Sequence, residues 1–392
     1  MIAVHIIEIC LLVYFGYTTL YSFFFFLGGL FYRDKKFVKV DPKRFCVLIP
    51  SYKEDSVIVG VAKAALNQDY PADKYKVVVI ADSLQDSTVQ KLRELPITAV
   101  VVKFEQSTKI KSLNEALRAV GDDFDYCVIL DADNVMEPDF LSKVNYLHSI
   151  GYRSIQATRA PKNANSTMAV LDGISEAVNY SIISKGGTAL GLSPGVKGSS
   201  VSFEYAPIKR IFAEMNSVGG FDRELELKLI ENNMTIYFSA DTYVMDEKVG
   251  SMEVFKKQRT RWISSQFFYL RKYFGKGMMS LLKFDITYFN SAILRNIQLP
   301  RLLNIGLLGG VTLLLFFLRD YLLVNYLIWP AMFVISCLTI MLSIPLSFYN
   351  KNLLRAMLQL PSVFFNMFLL LFKLKGANKK FIHTPHNTPN TK

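Results

Sequence analysis

The stretch Tyr126-Cys-Val-Ile-Leu-Asp131-Ala-Asp133-Asn134 decides the fold class of this 392-residue chain, because its apolar run ends in two carboxylates. Five apolar or aromatic residues bounded by polar ones are typical of a buried strand. Side chains alternate along a strand, so Asp131 and Asp133 leave its end on the same side. Such an oxygen-rich strand end suits Mg²⁺ or Mn²⁺ holding a diphosphate. Taken alone, Asp-Ala-Asp also fits a solvated turn.

Short apolar runs alternate with helical patterns around this strand, in a region long enough for one sizeable domain. The alternation predicts right-handed βαβ units and a mostly parallel sheet with helices on both faces, the α/β class. Ligands of such sheets bind outside the carboxyl ends of the strands. The predicted strands are 45–49, 76–81, 98–104 and 126–130, and the predicted helices are 56–67, 87–94, 110–120 and 138–150.

Polar side chains follow three of the predicted strands at the same edge of the sheet. Carboxylates at three separate strand ends are not well explained by a purely structural role, so we interpret this edge as the binding site. The candidate residues there are Pro50, Tyr52, Glu54, Asp82, Asp131 and Asp133.

The region after residue 154 has a different pattern. Residues 156–159 resemble another strand end, and residues 164–185 form a long helical pattern. A glycine-rich passage then covers residues 186–200. These glycines either punctuate turns or let the backbone approach a sugar or acceptor closely.

Long apolar segments lie at both ends of the chain, which is 51% hydrophobic and too apolar for an ordinary soluble enzyme. Residues 6–31 predict a membrane anchor rather than a signal peptide, since a basic start and a small-residue cleavage site are lacking. Residues 299–318 and 321–348 predict two further spans. A fourth apolar stretch, 353–374, is expected to break at Pro361 and has basic residues on both sides, which predicts an interfacial or re-entrant segment.

The net charge of +12 is concentrated beside the predicted membrane segments. By the positive-inside rule both basic flanks are cytoplasmic, and so is the region between them. Anionic membrane lipid is therefore the expected partner of these charges, rather than nucleic acid. The four cysteines have no disulfide or zinc spacing, which fits a reducing cytosol. The two basic clusters are Arg33, Lys35, Lys36, Lys39, Lys43 and Arg44, and Lys256, Lys257, Arg259, Arg261, Arg271 and Lys272.

These patterns divide the chain into six predicted segments. They are an anchor at 1–33, a cytoplasmic catalytic domain at 41–250, interfacial helices at 251–298, two membrane helices at 299–348, an interfacial, re-entrant or transmembrane helix at 349–375, and a polar cytoplasmic tail at 376–392.

The order of the polar motifs resembles that of membrane-integrated family 2 glycosyltransferases, the group that includes cellulose, chitin and hyaluronan synthases and ceramide glucosyltransferase. Gln-x-x-Arg-Trp is the most specific of these motifs, and the resemblance covers most of the chain. It implies a nucleotide-sugar-binding domain of the GT-A type. The motifs are Asp82, Asp131-Ala-Asp133, the acidic helix start Asp222-Arg-Glu224, and Gln258-Arg-Thr-Arg261-Trp262.

The resemblance also implies roles for these residues. Asp82 would contact a uridine base, while Asp131 and Asp133 would bind the nucleotide and a divalent cation, Mg²⁺ or Mn²⁺. Lys109 would lie near the nucleotide. The remaining motif residues, Gln258, Arg261 and Trp262, would close over the diphosphate and the acceptor; they share one helix face, and Arg261 suits phosphate geometry.

The catalytic base is less clear from the sequence, because the family's Gly-Gly-Phe and Thr-Glu-Asp elements are fused here. The alignment through Phe221-Asp222-Arg-Glu224 makes Asp222 the base and Glu224 the second candidate. Asp222 would also serve as the N-cap of a helix over residues 223–232.

The resemblance implies an inverting hexosyl or N-acetylhexosaminyl transferase that uses a UDP-sugar at the cytoplasmic face of a bacterial inner membrane. The motif favours a processive synthase of a β-linked polysaccharide, with an accessory subunit or homo-oligomer completing a pore. Transfer of one sugar to a lipid acceptor is the alternative, and a transporter or channel with a regulatory nucleotide-binding domain is a distant one. Donor sugar identity does not follow from these motifs.

Overall fold

A computed structural model describes residues 2–163 and 166–372. An eight-stranded sheet is its centre, with strand order β3-β2-β1-β4-β7-β6-β8-β5. The predicted tail at 376–392 lies outside the described residues. The strands are β1 Phe45–Tyr52, β2 Tyr75–Asp82, β3 Thr98–Val102, β4 Tyr126–Ile129, β5 Val135–Met136, β6 Ser154–Pro161, β7 Val201–Glu204 and β8 Ile236–Asp246.

The first four strands pair in parallel, as their alternation with helices predicts, whereas β7 runs antiparallel to β4 and β6. Tyr52 is in register with Asp82, so the ends of β1 and β2 coincide. The α/β prediction is confirmed, and all four predicted strand positions are correct within a few residues.

Helices cover both faces of the sheet. The two-residue period of the strands decides which helix each side chain meets. Val47 and Ile49 belong to the buried cluster that includes α2, α3 and α5, whereas Cys46 and Leu48 belong to the cluster that includes α4, α8 and α9. These helices are α2 Ile58–Ala65, α3 Asp86–Arg93, α4 Lys109–Ala119, α5 Phe140–Ser149, α8 Tyr205–Glu214 and α9 Phe221–Glu231.

A broken helix connects the sheet to the N-terminal membrane helix α1, Ile2–Leu30. It consists of α6 Thr167–Asn179, a π-helical turn Tyr180–Lys185 and α7 Gly186–Ala189. A Cβ atom built on Gly186 would lie 2.1 Å from the carbonyl oxygen of Phe25 in α1. Gly186 and Gly187 therefore lie in a helix and permit close helix packing. For these two glycines, neither a turn nor close approach to a sugar or acceptor, the two interpretations from the sequence, is correct.

A single long helix, α10 Met252–Leu282, carries the Gln-x-x-Arg-Trp motif. The sequence predicts two helices here, 252–273 and 278–290, and Gly275 and Gly277 lie between them. The helix continues through both glycines, and a short bent segment follows. That segment comprises α11 Ile286–Phe289, a π-turn Asn290–Leu294 and α12 Arg295–Ile297.

Three apolar helices follow: α13 Arg301–Phe317, α14 Ile328–Ser343 and α15 Lys351–Leu371. In the described part of the chain, α1 and α15 are each long and apolar enough to cross a membrane. The α11–α12 segment and α13 together form a third candidate, bent by 56°. The predicted span at 321–348 is shorter in the structure, because α14 is a helix of only 16 residues.

Helix α15 runs without interruption through Pro361, so the predicted break at this residue is wrong. It packs against α6, α10 and the first turns of α13. The ring of Phe364 lies 2.2 Å from a Cβ atom built on Gly306, near the start of α13. Its partners thus belong to the catalytic-domain end of the helical bundle, and the interfacial placement of this helix stays a prediction.

Candidate active site

Asp82 ends β2 with its side chain buried. Ser83 donates a hydrogen bond of 3.0 Å to Oδ1 of Asp82, whereas Oδ2 has no hydrogen-bond partner among the described residues. An unpaired buried acceptor is costly, so this oxygen suits a ligand that donates an N–H group. Glu54 is also buried, and it lies with Tyr52 and Pro50 at the end of the neighbouring strand.

Lys109 joins the strand end to the glycine-rich passage. Its ammonium group forms an ion pair with Asp131 and donates a hydrogen bond of 2.8 Å to the carbonyl oxygen of Gly198. Burial raises the pKa of Asp131, but the Lys109 charge and its hydrogen bond outweigh that effect and keep the pKa below its usual value. Asp131 is therefore a carboxylate at neutral pH.

Asp133 is buried and held in one orientation. One carboxylate oxygen accepts a hydrogen bond of 2.9 Å from the backbone N–H of Glu247, and the other accepts one of 3.1 Å from the Asn134 amide. No group of three or more His, Cys, Asp or Glu ligands exists within residues 2–163 and 166–372. The two carboxylates fit a divalent cation whose remaining ligands come from a diphosphate and water, since Mg²⁺ typically takes only one or two carboxylates.

Asp222 lies in the first turn of α9. The helix begins at Phe221 and its N-cap is Gly220, with φ 62°, so the expectation that Asp222 is the N-cap is wrong. Its Cβ atom is 3.7 Å from a Cβ atom built on Gly198. A Cβ atom at 198 would thus make an ordinary contact with this turn, and glycine is favoured there by its φ of 82°.

Arg261 connects the two acidic elements. Burial lowers the pKa of its guanidinium group, and the carboxylates of Asp222 and Asp131 act against that shift. Both carboxylates are therefore close enough to Arg261 to interact electrostatically. The fold brings three residues together that are separated by up to 130 positions in the chain.

Glu224 has a different environment from Asp222. Its carboxylate accepts hydrogen bonds from Lys272 at 2.6 Å, from Tyr273 at 2.7 Å and from Ser217. Burial raises its pKa, but the three donors more than compensate, and the pKa stays below its usual value. This carboxylate attaches α9 to α10, and its oxygens are already occupied by protein donors.

The remaining motif residues lie on one face of α10. Gln258 Oε1 is buried and has no partner within the described part of the chain. Trp262 is 37% exposed, and the guanidinium of Arg259 lies 4.4 Å from the centre of its ring. Arg259 therefore packs on one face of the indole. Arg259 itself forms an ion pair with Asp172 at 2.8 Å.

A buried ionic cluster beneath the site was not predicted from the sequence. Arg159 pairs with Glu176 at 2.5 Å, and Lys248 pairs with Glu176 and with Asp246. The charge of Arg159 also lowers the pKa of Asp131, after the larger effects of burial and Lys109. These residues come from three distant elements and have no common spacing, so no local pattern could reveal the cluster.

Comparison with known proteins identifies the family. The profile described as glycosyltransferase like family 2 matches residues 42–265, more than half of the chain. The chain belongs to the family 2 glycosyltransferases. A relative named "Probable glycosyltransferase YdaM", from Bacillus subtilis strain 168, is 24% identical to this glycosyltransferase over 294 residues, which cover 69% of each chain.

A solved structure shares the GT-A-like fold of this glycosyltransferase. The mannosyltransferase PcManGT from Pyrobaculum calidifontis, solved in complex with GDP-Man and Mn²⁺, superimposes with a TM-score of 0.60 at 18% identity, covering 94% of this chain and 96% of the other. That coverage extends beyond the family match into the terminal helices. Staphylococcus aureus TarS 1-349 with UDP-GlcNAc matches 54% of this chain and 60% of the other at 18% identity, with a TM-score of 0.38.

Proposed function

We propose that this glycosyltransferase moves a sugar from a UDP-sugar to an acceptor hydroxyl, with inversion, at the cytoplasmic face of a bacterial inner membrane. The observation that carries the proposal is the position of Asp131 and Asp222 on either side of Gly198: Lys109 pairs with Asp131 and donates to the Gly198 carbonyl, and Cβ of Asp222 lies 3.7 Å from a Cβ atom built on Gly198. A carboxylate base, an anionic strand end and a buried guanidinium are the groups that such a transfer requires.

The donor would bind at the ends of β1, β2 and β4. Asp82 Oδ2, which lacks a protein partner in the described chain, would accept the N3–H of a uracil base. Lys109 would bind near the diphosphate. The other candidate contacts to the nucleotide are Pro50, Tyr52, Glu54 and Asp131.

Asp131 and Asp133 would hold Mg²⁺ or Mn²⁺ together with the donor. When bound, the cation would neutralise charge on the departing diphosphate. The backbone N–H of Glu247 and the Asn134 amide orient Asp133 toward this task. Arg261 would supply further positive charge at the diphosphate, independently of the bound metal ion.

Asp222 would take the proton from the acceptor hydroxyl as the hydroxyl oxygen attacks C1 of the sugar. Glu224 is the less suitable base because Lys272, Tyr273 and Ser217 already donate to it. Trp262 would stack on a sugar ring of the acceptor, with Arg259 fixing the opposite face of the indole.

The membrane location follows from the terminal helices and the basic clusters beside them. Helices α1 and α15 are long and apolar enough to associate with a bilayer. Lysines and arginines near the ends of such helices favour the cytoplasmic side and anionic lipids. An accessory subunit or a homo-oligomer would be needed if the product were a chain that crosses the membrane.

Purified protein incubated with a panel of nucleotide sugars tests the proposal through release of the nucleotide. We expect UDP release from one or more UDP-sugars, dependent on acceptor. GDP-mannose, the ligand of the archaeal neighbour, is the most informative comparison. Release of GDP alone would contradict the uridine assignment, and no release from any donor would contradict glycosyl transfer.

A further inference from the structure

Lys109 is held at the strand end by partners from three different parts of the fold. Its ammonium group pairs with Oδ1 of Asp131 after β4, and it donates a hydrogen bond of 2.8 Å to the carbonyl oxygen of Gly198. The ring centre of Phe221, the first residue of α9, lies 5.4 Å from the same nitrogen atom, within range of a cation–π contact. The side chain of Lys109 is only 17% exposed. Its position is therefore defined by the tertiary structure.

The position of Lys109 does not favour the helix that contains it. Lys109 begins α4 and Lys111 lies in the same turn, which contains no acidic residue. The N-terminus of a helix carries partial positive charge, so a lysine there is unfavourable for the helix. Thr108 already caps this helix by accepting a hydrogen bond from the backbone N–H of Lys111. The contacts across the site, and not helix stability, therefore account for a lysine at this position.

Lys109 contacts one of the two carboxylates that would bind the divalent cation. The side chain of Asp131 is 39% exposed, so a cation can reach it from solvent. Contact of this carboxylate with both an ammonium group and a divalent cation is unfavourable, because the two positive charges repel each other at short range. Asp133 differs, because its oxygens accept hydrogen bonds from neutral donors, the backbone N–H of Glu247 and the amide of Asn134. Only Asp131 therefore has a protein charge that competes with the cation.

We propose that Lys109 blocks the cation position at Asp131 until the diphosphate of the donor draws its ammonium group away. The inference rests on the proposed function for the identity of the donor, whereas the block itself needs no donor. Phosphate oxygens are strong acceptors for an ammonium group. Asp131 then becomes available when the diphosphate supplies further ligands for the cation. Cation and nucleotide therefore bind together, and the free enzyme excludes the cation.

The number of ligands alone offers a second explanation for joint binding, since two carboxylates hold Mg²⁺ or Mn²⁺ weakly. The two explanations differ in what the loss of Lys109 does. If the number of ligands is the sole limit, the affinity for the free cation stays unchanged without the lysine. If Lys109 occupies a ligand, its loss raises that affinity and weakens the binding of UDP.

Calorimetric titration of the full-length protein in detergent with Mn²⁺ separates the explanations, because it needs no turnover. Without UDP, we expect Lys109→Met to bind Mn²⁺ at least about fivefold more tightly than the wild type. Lys109→Gln should behave alike, since it retains a donor for Gly198 but no charge. Lys109→Arg should resemble the wild type, because a guanidinium group also pairs with a carboxylate.

UDP supplies the second readout. Titration of UDP in the presence of Mn²⁺ should give an affinity at least about fivefold weaker in Lys109→Met, through loss of a charged donor to the diphosphate. The gain in Mn²⁺ affinity on addition of UDP should shrink as well, because coupling between two ligands is reciprocal.

Lys162 provides a matched control, because its ammonium group donates to the backbone carbonyl oxygen of Asp133. Lys162→Met removes the same charge from the same strand end without uncovering a carboxylate, so Mn²⁺ affinity should change by at most about twofold. The combination of Lys109→Met with Asp131→Asn should lose the gain in affinity, because the uncovered carboxylate is then absent.

Three results would overturn the proposal. The first is an unchanged Mn²⁺ affinity in Lys109→Met and Lys109→Gln proteins that are folded, as judged by thermal unfolding. The second is an equal gain in Lys162→Met, which would reduce the effect to general charge. The third is a gain that persists with Asp131→Asn, which would place the cation elsewhere.

Failure of the proposed function would have a different signature. No binding of UDP to the wild-type protein with Mn²⁺ present would contradict the nucleotide site and the step in which the donor moves Lys109. The titrations without UDP would still decide whether Lys109 occupies Asp131, so the two failures are distinguishable.

Discussion

Asp222 and Glu224 are two residues apart, yet their surroundings differ completely. Glu224 is saturated with protein donors, whereas Asp222 faces Gly198 and lies near Arg261. Asp222→Asn should lower turnover at least about a hundredfold through loss of a positioned proton acceptor. Donor affinity, measured by titration with UDP, should be almost unchanged.

Glu224→Gln provides the comparison for this prediction. It removes the charge that Lys272 pairs with, so we expect a lower unfolding temperature with substantial activity retained. A fully inactive Glu224→Gln protein that folds normally, together with an active Asp222→Asn protein, would show that the alignment through the fused motif is wrong.

The second prediction at this scale concerns the cation. Two carboxylates are too few to bind Mg²⁺ or Mn²⁺ tightly by themselves, so cation affinity should rise sharply when UDP is present. Asp133→Asn should abolish UDP release while leaving the unfolding temperature nearly unchanged. Calorimetric titration of Mn²⁺ with and without UDP measures the coupling, and full activity in EDTA would refute it.

A third prediction concerns pH and His148, whose ring is stacked on Tyr126 at 3.9 Å. Burial lowers the pKa of His148 to about 3, despite a hydrogen bond with the carbonyl of Tyr152. An unfolded histidine has a pKa of about 6.5, so the unfolded state binds the proton first. Stability should therefore fall as pH drops below about 6.5.

The check is the unfolding temperature between pH 7.5 and 5, compared with that of His148→Gln. The wild-type temperature should fall more steeply than that of the variant over this range. Parallel curves would mean that His148 is not the group responsible.

At the scale of elements, contacts on both sides fix the position of α9. Glu224 binds α10, while Glu226 forms an ion pair with Arg295 of α12 and accepts a hydrogen bond of 2.8 Å from Ser291. The helix that carries the proposed base is therefore attached to the membrane-proximal segments. Its first turn depends on Gly220, in the left-handed region, where a Cβ atom would lie 2.6 Å from the side chain of Ser265.

Gly220→Ala should therefore both destabilise the protein and reduce turnover, because strain and the contact with Ser265 shift the start of α9. Gly275→Ala is a matched control, since a Cβ atom there meets no described atom within 4 Å and alanine favours a helix. Turnover and unfolding temperature are measured for both. Equal, small effects in the two proteins would contradict a role for Gly220 in placing Asp222.

At the scale of the whole molecule, the N-terminal end of α1 meets the connection between α13 and α14. The carboxylate of Glu8 accepts hydrogen bonds from the backbone of Leu323 at 2.8 Å and of Val324 at 3.0 Å. These two regions therefore lie on the same side of any membrane. The other end of α1 joins the catalytic domain, and α1 is long enough to cross a bilayer, so we propose that the connection lies on the side opposite the catalytic domain.

Labelling of single cysteines tests this topology in a protein whose Cys10 and Cys337 are replaced by serine. A cysteine introduced by Asp320→Cys should react with an impermeant reagent added outside intact cells. Under the proposed interfacial placement of α15, which packs against α6, α10 and α13, cysteines introduced by Ser347→Cys and Phe372→Cys should react only after lysis. External labelling at 372 would mean that α15 crosses the membrane.

The sequence by itself determined the α/β class, the parallel strands and the order of the motif residues. Those features depend on local periodicity and on residues a few positions apart, which act through the same hydrophobic and hydrogen-bonding rules in any chain. For that reason the predicted strand ends at residues 49 and 81 lie within three residues of the observed ends at Tyr52 and Asp82. The uninterrupted helix through Pro361 was not, because tertiary packing outweighs local propensity there.

Only the tertiary structure decided how the two carboxylates at the start of α9 differ. Asp222 and Glu224 carry the same charge and both lie in the first turn of α9. What distinguishes them is that Glu224 accepts hydrogen bonds from Lys272 and Tyr273, nearly 50 residues away. Burial and pairing of charges depend on which distant elements pack together, and no local pattern encodes that information.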